Sequence, residues 1–114
     1  MNIKNKKDGK NTMQKIIEGK KYDTETATLI ATYEYSNQRD FNYCLEELYQ
    51  TKKGAFFIYG EGGPLSKYAK EIGNNTTSGS CTIYLVNEEE AKEFAMENLD
   101  AEDFEEIFGE VEEG

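Results

Sequence analysis

The segment Gly60-Glu61-Gly62-Gly63-Pro64 has the glycine density of loops that wrap phosphates, and Lys67 and Tyr68 follow it closely. Such loops aim backbone N–H groups at the anion and close with a lysine and a hydroxyl residue. Here no Gly-Lys-Ser/Thr ending follows, the glycine spacing fits no dinucleotide fingerprint, and Glu61 would repel a phosphate. The segment reads as a tight strand-to-helix connection or as an exposed loop that touches a partner through Glu61, Lys67 and Tyr68, with Tyr59 beside them. The second chemical feature is acidity: Glu88 to Gly114 holds 13 Asp and Glu against one Lys. Alternating acids around a central glycine, as a Ca²⁺ loop needs, are missing from it. A glycosidase carboxylate pair needs a sizeable cleft, which a short chain rarely builds. Carboxylates at helical spacing form a solvated face or imitate a phosphate backbone and compete for a basic groove. Glu89, Glu93, Glu97 and Asp100 lie near one side of such a helix, and Glu102, Glu105, Glu106, Glu110, Glu112 and Glu113 extend the surface.

The chain has no histidine among its 114 residues, which removes Ser–His, Cys–His and His–metal arrangements together with the commonest general base. Acid–base work would fall to Tyr22 or Tyr68 with Lys67, the weakest of the readings. No catalytic, metal or cofactor site is expected. A formal charge of −10 argues against direct DNA binding, which needs a basic face. Stacking of bases on the tyrosines is disfavoured by the same balance. Composition tilts toward an interaction protein.

Charge is unevenly placed. The first 12 residues carry four Lys and one Asp, and residues 13–87 are close to neutral. Residues 1–12 read as a disordered basic tail and 13–114 as one domain. No run approaches the roughly 18 apolar residues of a membrane span, and no secretory signal is visible, so a cytoplasmic location is expected. Cys44 and Cys81 read as small buried hydrophobes of a reducing compartment.

The elements that must position these groups follow from periodicity. Ile16-Ile17 starts a first strand, and Gly19-Lys20-Lys21 suggests a turn or bulge. Thr26–Tyr35 alternates, with Thr26, Thr28, Ile30, Thr32 and Glu34 on one face and Ala27, Leu29, Ala31, Tyr33 and Tyr35 on the other. Tyr43–Thr51 and Ala55–Tyr59, separated by Lys52-Lys53-Gly54, predict a β-hairpin with Gly54 at positive φ. A helical turn over Cys44–Leu48 stays open as the competing reading. Pro64 and Gly73 bracket a helix whose stripe is Leu65, Tyr68, Ala69 and Ile72. Asn74–Ser80 reads as a polar loop, and Cys81–Val86 as the central strand of the sheet. Asn87 caps a helix with Glu90 at the capping-box position, its stripe being Ala91, Phe94, Ala95 and Leu99. Asp100 caps another, with Phe104, Ile107, Phe108 and Val111 as its stripe. The architecture expected is α+β: an antiparallel sheet of four to five strands with three short helices, two of them acidic and C-terminal.

Lys21–Ala27, Leu48–Gly54, Gly60–Ala69, Thr77–Ser80 and the helix start Glu88–Ala91 resemble a family of small proteins carried by phages, plasmids and integrative elements of Gram-positive bacteria. The likeness spans residues 15 to 112, and the lysine-rich extension departs from a family pattern that starts near Met13. Some members are inhibitors of type II-A CRISPR immunity. The resemblance therefore implies an anti-CRISPR role inside a bacterial host cell, with the RNA-guided effector nuclease or its guide-RNA complex as partner. It carries over no catalytic residues. The alternative function is a small regulatory module of a mobile element that uses the Gly60–Pro64 loop to bind a host protein or small ligand.

Overall fold

The computed structural model describes residues 12–114, so the basic tail expected over 1–12 lies almost wholly outside the described residues. Chain order is β1 (Gln14–Ile17), β2 (Lys20–Asp23), β3 (Thr28–Tyr35), β4 (Cys44–Gln50), β5 (Phe56–Gly62), β6 (Lys70–Gly73), β7 (Thr76–Ser78), β8 (Ser80–Val86), α1 (Glu88–Asn98) and α2 (Ala101–Phe108). One antiparallel sheet runs β3-β4-β5-β8, and β1-β2 and β6-β7 form separate two-stranded hairpins. The class is α+β with antiparallel sheets and two C-terminal helices.

The β4–β5 hairpin forms where turn chemistry and apolar runs predict it. Gly54 adopts φ +97°, a conformation that costs any other residue a Cβ clash. The Thr51 amide donates to the Ala55 carbonyl at 2.8 Å, and the Ala55 amide donates to the Thr51 hydroxyl at 3.0 Å. No helical turn forms over Cys44–Leu48. Both faces of β4 and β5 are covered, so β5 opens on the continuous apolar run of residues 56–59 while β4 buries Glu46 and Glu47 among its apolar residues. Tyr22 from β2 packs on Tyr49, Phe57, Tyr59 and Ile83 on one face. On the other, Ala91 and Ala95 of α1 seat on Leu48, Phe56 and Ile58, with Phe104 and Phe108 of α2 against the same cluster. Small residues at positions 91 and 95 let α1 lie close to the sheet.

Four expectations are corrected. Residues 65–72 form a turn and then β6 rather than a helix, leaving Leu65 61 % and Ile72 63 % exposed. Of that stripe only Tyr68 finds a place to bury, over Gly60 on the face that α1 and α2 share, and an isolated two-turn helix is too short to hold itself. Asn74–Ser80 is accordingly not a plain loop: it contains the β6–β7 turn, β7 and the start of β8. β8 lies at the edge of the sheet rather than its centre, because the chain leaves Val86 directly into α1 and no further described strand pairs with it. Cys81 is therefore exposed while Cys44 is buried, both as free thiols. Lys15 reaches that edge, its Nζ donating to Thr82 Oγ1 at 3.2 Å and to the Ile83 carbonyl at 3.4 Å. A lysine on an edge discourages pairing with a foreign strand.

The strict alternation expected along Thr26–Tyr35 also fails locally. A bulge between Leu29 and Ala31 brings Ile30 and Ala31 into the same cluster beneath the helices. The second helical stripe stops early for a conformational reason. α2 ends at Phe108, Gly109 turns the chain at φ +102°, and Val111 lies beyond the helix.

Candidate functional site

Strand register decides which of the expected site residues meet. Gly60 lies opposite Glu46, so Glu61 lies opposite Leu45 and faces the other side of the sheet. Glu61 accepts hydrogen bonds from Tyr43 at 2.8 Å and Tyr59 at 2.5 Å on the face that β1-β2 covers. Lys67 and Tyr68 come down on the opposite face, over Gly60. There Glu46, buried on β4, accepts from the Tyr68 hydroxyl at 2.5 Å and pairs with Lys67 Nζ at 2.8 Å. The Tyr84 hydroxyl lies 3.5 Å from that of Tyr68. The expected trio of Glu61, Lys67 and Tyr68 is thus divided between two faces. Glu46, which reads from sequence as one more strand residue, takes the place expected of Glu61.

This polar cluster anchors the 63–69 turn to the sheet. Ser80 Oγ donates to the Tyr68 carbonyl at 2.5 Å, and Thr77 Oγ1 donates to the Pro64 carbonyl at 2.8 Å. A Cβ at Gly60 would stand 2.2 Å from Tyr68 Cζ, so the glycine is what admits the ring. Burial first, then the hydrogen bond to Glu46, pushes the Tyr68 phenol well above its ordinary value. Burial and Glu61 do the same to Tyr43 and Tyr59, and burial and Glu47 to Tyr49. The Lys67 ammonium is raised by its hydrogen bond to Glu46. The Cys44 thiol is raised by burial and by the nearby Glu46. Phenols and a thiol shifted in this direction keep their protons near neutral pH, which suits them to hold hydrogen bonds and not to exchange protons with a substrate.

Glu89, Glu93 and Glu97 lie on α1 and Glu102, Glu105 and Glu106 on α2, both capped, whereas the expected Glu110, Glu112 and Glu113 lie beyond the helices because α2 ends at Phe108. Asn87 accepts from the Glu90 amide at 2.8 Å while Glu90 accepts from the Asn87 amide at 2.9 Å, a complete capping box. Glu88, Glu89 and Glu90 stand in the first turn, where the helix dipole favours negative charge. Asp100 caps α2 by accepting from the Asp103 amide at 2.9 Å. Glu89, Glu93 and Glu97 are exposed, one turn apart, and make no ion pair among the described residues. Their backbone spacing is roughly 6 Å along the helix axis. Glu102 and Glu106 are likewise exposed. Glu105 is drawn inward, its carboxylate accepting from the Val111 amide at 2.8 Å, so it fastens the chain after α2 and is less available than its neighbours. Lys92 sits 3.6 Å from Glu88 and lies over the Phe108 ring.

Among the described residues no group of His, Cys, Asp and Glu side chains is placed to hold a metal ion, and no helix is long and apolar enough to cross a membrane. No family model, curated protein or solved structure matches the chain.

Proposed function

We propose that this chain is a binding protein, not an enzyme, and that its acidic helices compete with nucleic acid for a basic surface on another macromolecule. The observation that carries this reading is the row Glu89, Glu93 and Glu97, exposed on a well-capped helix and lacking a cationic partner among the described residues. Fixed charges on an ordered helix meet a basic surface without the ordering cost that a flexible acidic tail would incur. The charge density is lower than that of duplex DNA, about one charge per 1.7 Å of axis. Such a surface therefore suits a local basic cluster and not the whole length of a nucleic-acid channel. The resemblance to mobile-element proteins supplies the partner: the RNA-guided effector nuclease of a type II CRISPR system, or its guide-RNA complex, whose cleavage the chain would inhibit.

The test is target cleavage by a type II-A effector in the presence of the purified chain. Glu89→Lys, Glu93→Lys and Glu97→Lys together should raise the amount needed for inhibition by at least about tenfold, given the 1.5–7 kcal/mol measured for close interfacial charge pairs. Inhibition should also weaken steeply with added salt. Unchanged inhibition by the triple variant, with its circular dichroism intact, refutes the mechanism. The alternative ligand site on the Gly60–Pro64 segment has less support. Glu61 faces away from Lys67 and Tyr68, and the latter two are occupied with Glu46.

A further inference from the structure

The acidic helices enclose something that phosphate mimicry does not require. Between the C-terminal half of α1, α2 and the chain that follows Gly109 lies a groove of about 560 Å³. Its floor is Met96, Leu99, Phe104, Phe108 and Val111. Met96 is 60 % and Val111 54 % exposed, on a stretch that holds 13 Asp and Glu. Leaving such side chains in water forgoes the free energy of burying them. The rim carries Asp100 and Glu110, with Glu105 held by the Val111 amide and one cation, Lys92, turned toward Glu88. We infer that this groove docks a basic amphipathic helix of a partner protein, its apolar residues entering the floor and its Lys and Arg meeting the rim.

Charge selects this occupant over the others. A second copy docked through the same helices would bring its own 13 acids of residues 88–114 against the rim. Nucleic acid is repelled for the same reason. A basic helix with apolar residues at i, i+3, i+4 and i+7 satisfies floor and rim together, which is the helix-in-groove mode of recognition. Met96 on the floor suits it, since an unbranched thioether repacks around differing side chains. The inference deepens the proposed function and rests on its reading of the acidic helices as the partner-binding surface. It adds that the contact is part apolar, and that its protein partner presents a basic helix.

The probe is a fluorescein-labelled Leu/Lys peptide with leucines at that spacing, compared by anisotropy with a peptide of identical composition whose leucines are scattered around the helix. The full chain should bind the patterned peptide at least about tenfold tighter, and Met96→Ser, Met96→Glu or Val111→Glu should each erase about that much, the effect of losing one good apolar anchor. Both positions are exposed, so these variants should retain the wild-type circular dichroism. Equal affinity for the two peptides overturns the inference, because charge alone would then explain binding. Indifference of the patterned peptide to all three variants overturns it as well. So does sedimentation showing a dimer of the chain that Met96→Glu dissociates, since the groove would then belong to a second copy. Loss of peptide discrimination with nuclease inhibition intact sinks the groove alone. Discrimination without inhibition of the effector sinks the proposed target and leaves the groove standing.

Discussion

Replacing Gly60 by alanine should cost the domain about 2–4 kcal/mol, most of it through one distant residue. The new Cβ would lie 2.2 Å from Tyr68 Cζ and the hydroxyl oxygen, against 3.4–4 Å for ordinary contact. The tip of the ring must therefore withdraw by more than an ångström. Its hydroxyl sits 2.5 Å from Glu46 Oε2, so that movement breaks the bond. A hydrogen bond to a carboxylate contributes about 1.5–3 kcal/mol, and displacing the ring adds lost packing. The assay is urea denaturation of four proteins: wild type, Gly60→Ala, Tyr68→Ala and the double variant. Without the ring the extra methyl has room, so Gly60→Ala in the Tyr68→Ala background should change stability by no more than about 0.5 kcal/mol. The coupling should thus be about 2 kcal/mol or more, the range found for residues in direct contact. Equal costs in both backgrounds would refute the reasoning, because the penalty would then belong to the strand backbone and not to the Tyr68–Glu46 contact.

Alkaline pH should unfold the domain in a distinctive way. Tyr43, Tyr49, Tyr59 and Tyr68 all hold their protons above the ordinary 10.0, so the native state binds protons that the unfolded chain releases. Their contribution is present in full below about pH 10 and is lost as pH rises through the higher folded values. Phenolate absorbance of these four should appear together with loss of circular dichroism, and titration of all the tyrosines near pH 10 with the fold intact would contradict this. Asn87→Ala should cost about 1 kcal/mol in urea denaturation, since it removes the acceptor of the Glu90 amide and half of the capping box. A change within error would mean that packing of Ala91 and Ala95 alone holds the start of α1.

What could be read from the sequence is what neighbours in the chain decide among themselves. The caps at Asn87 and Asp100 reach three residues forward, and the Thr51–Ala55 turn closes over four, so residue types at fixed offsets sufficed to place them. The acidity of the last quarter needs no fold at all. Tertiary structure decided every question in which two segments compete for one surface. The stripe from Leu65 to Ile72 is as periodic as the one in α1, yet α1 and α2 cover most of the helix-bearing face and leave a place for Tyr68 alone, so the former segment became a turn and a hairpin. Glu46 and Tyr68 stand 22 residues apart and meet because register sets Gly60 opposite Glu46. That same register turns Glu61 to the other face, since successive strand residues point to opposite sides. The groove at Met96 and Val111 likewise exists only because Gly109 folds the chain back beside α2, bringing together apolar residues that no single period connects.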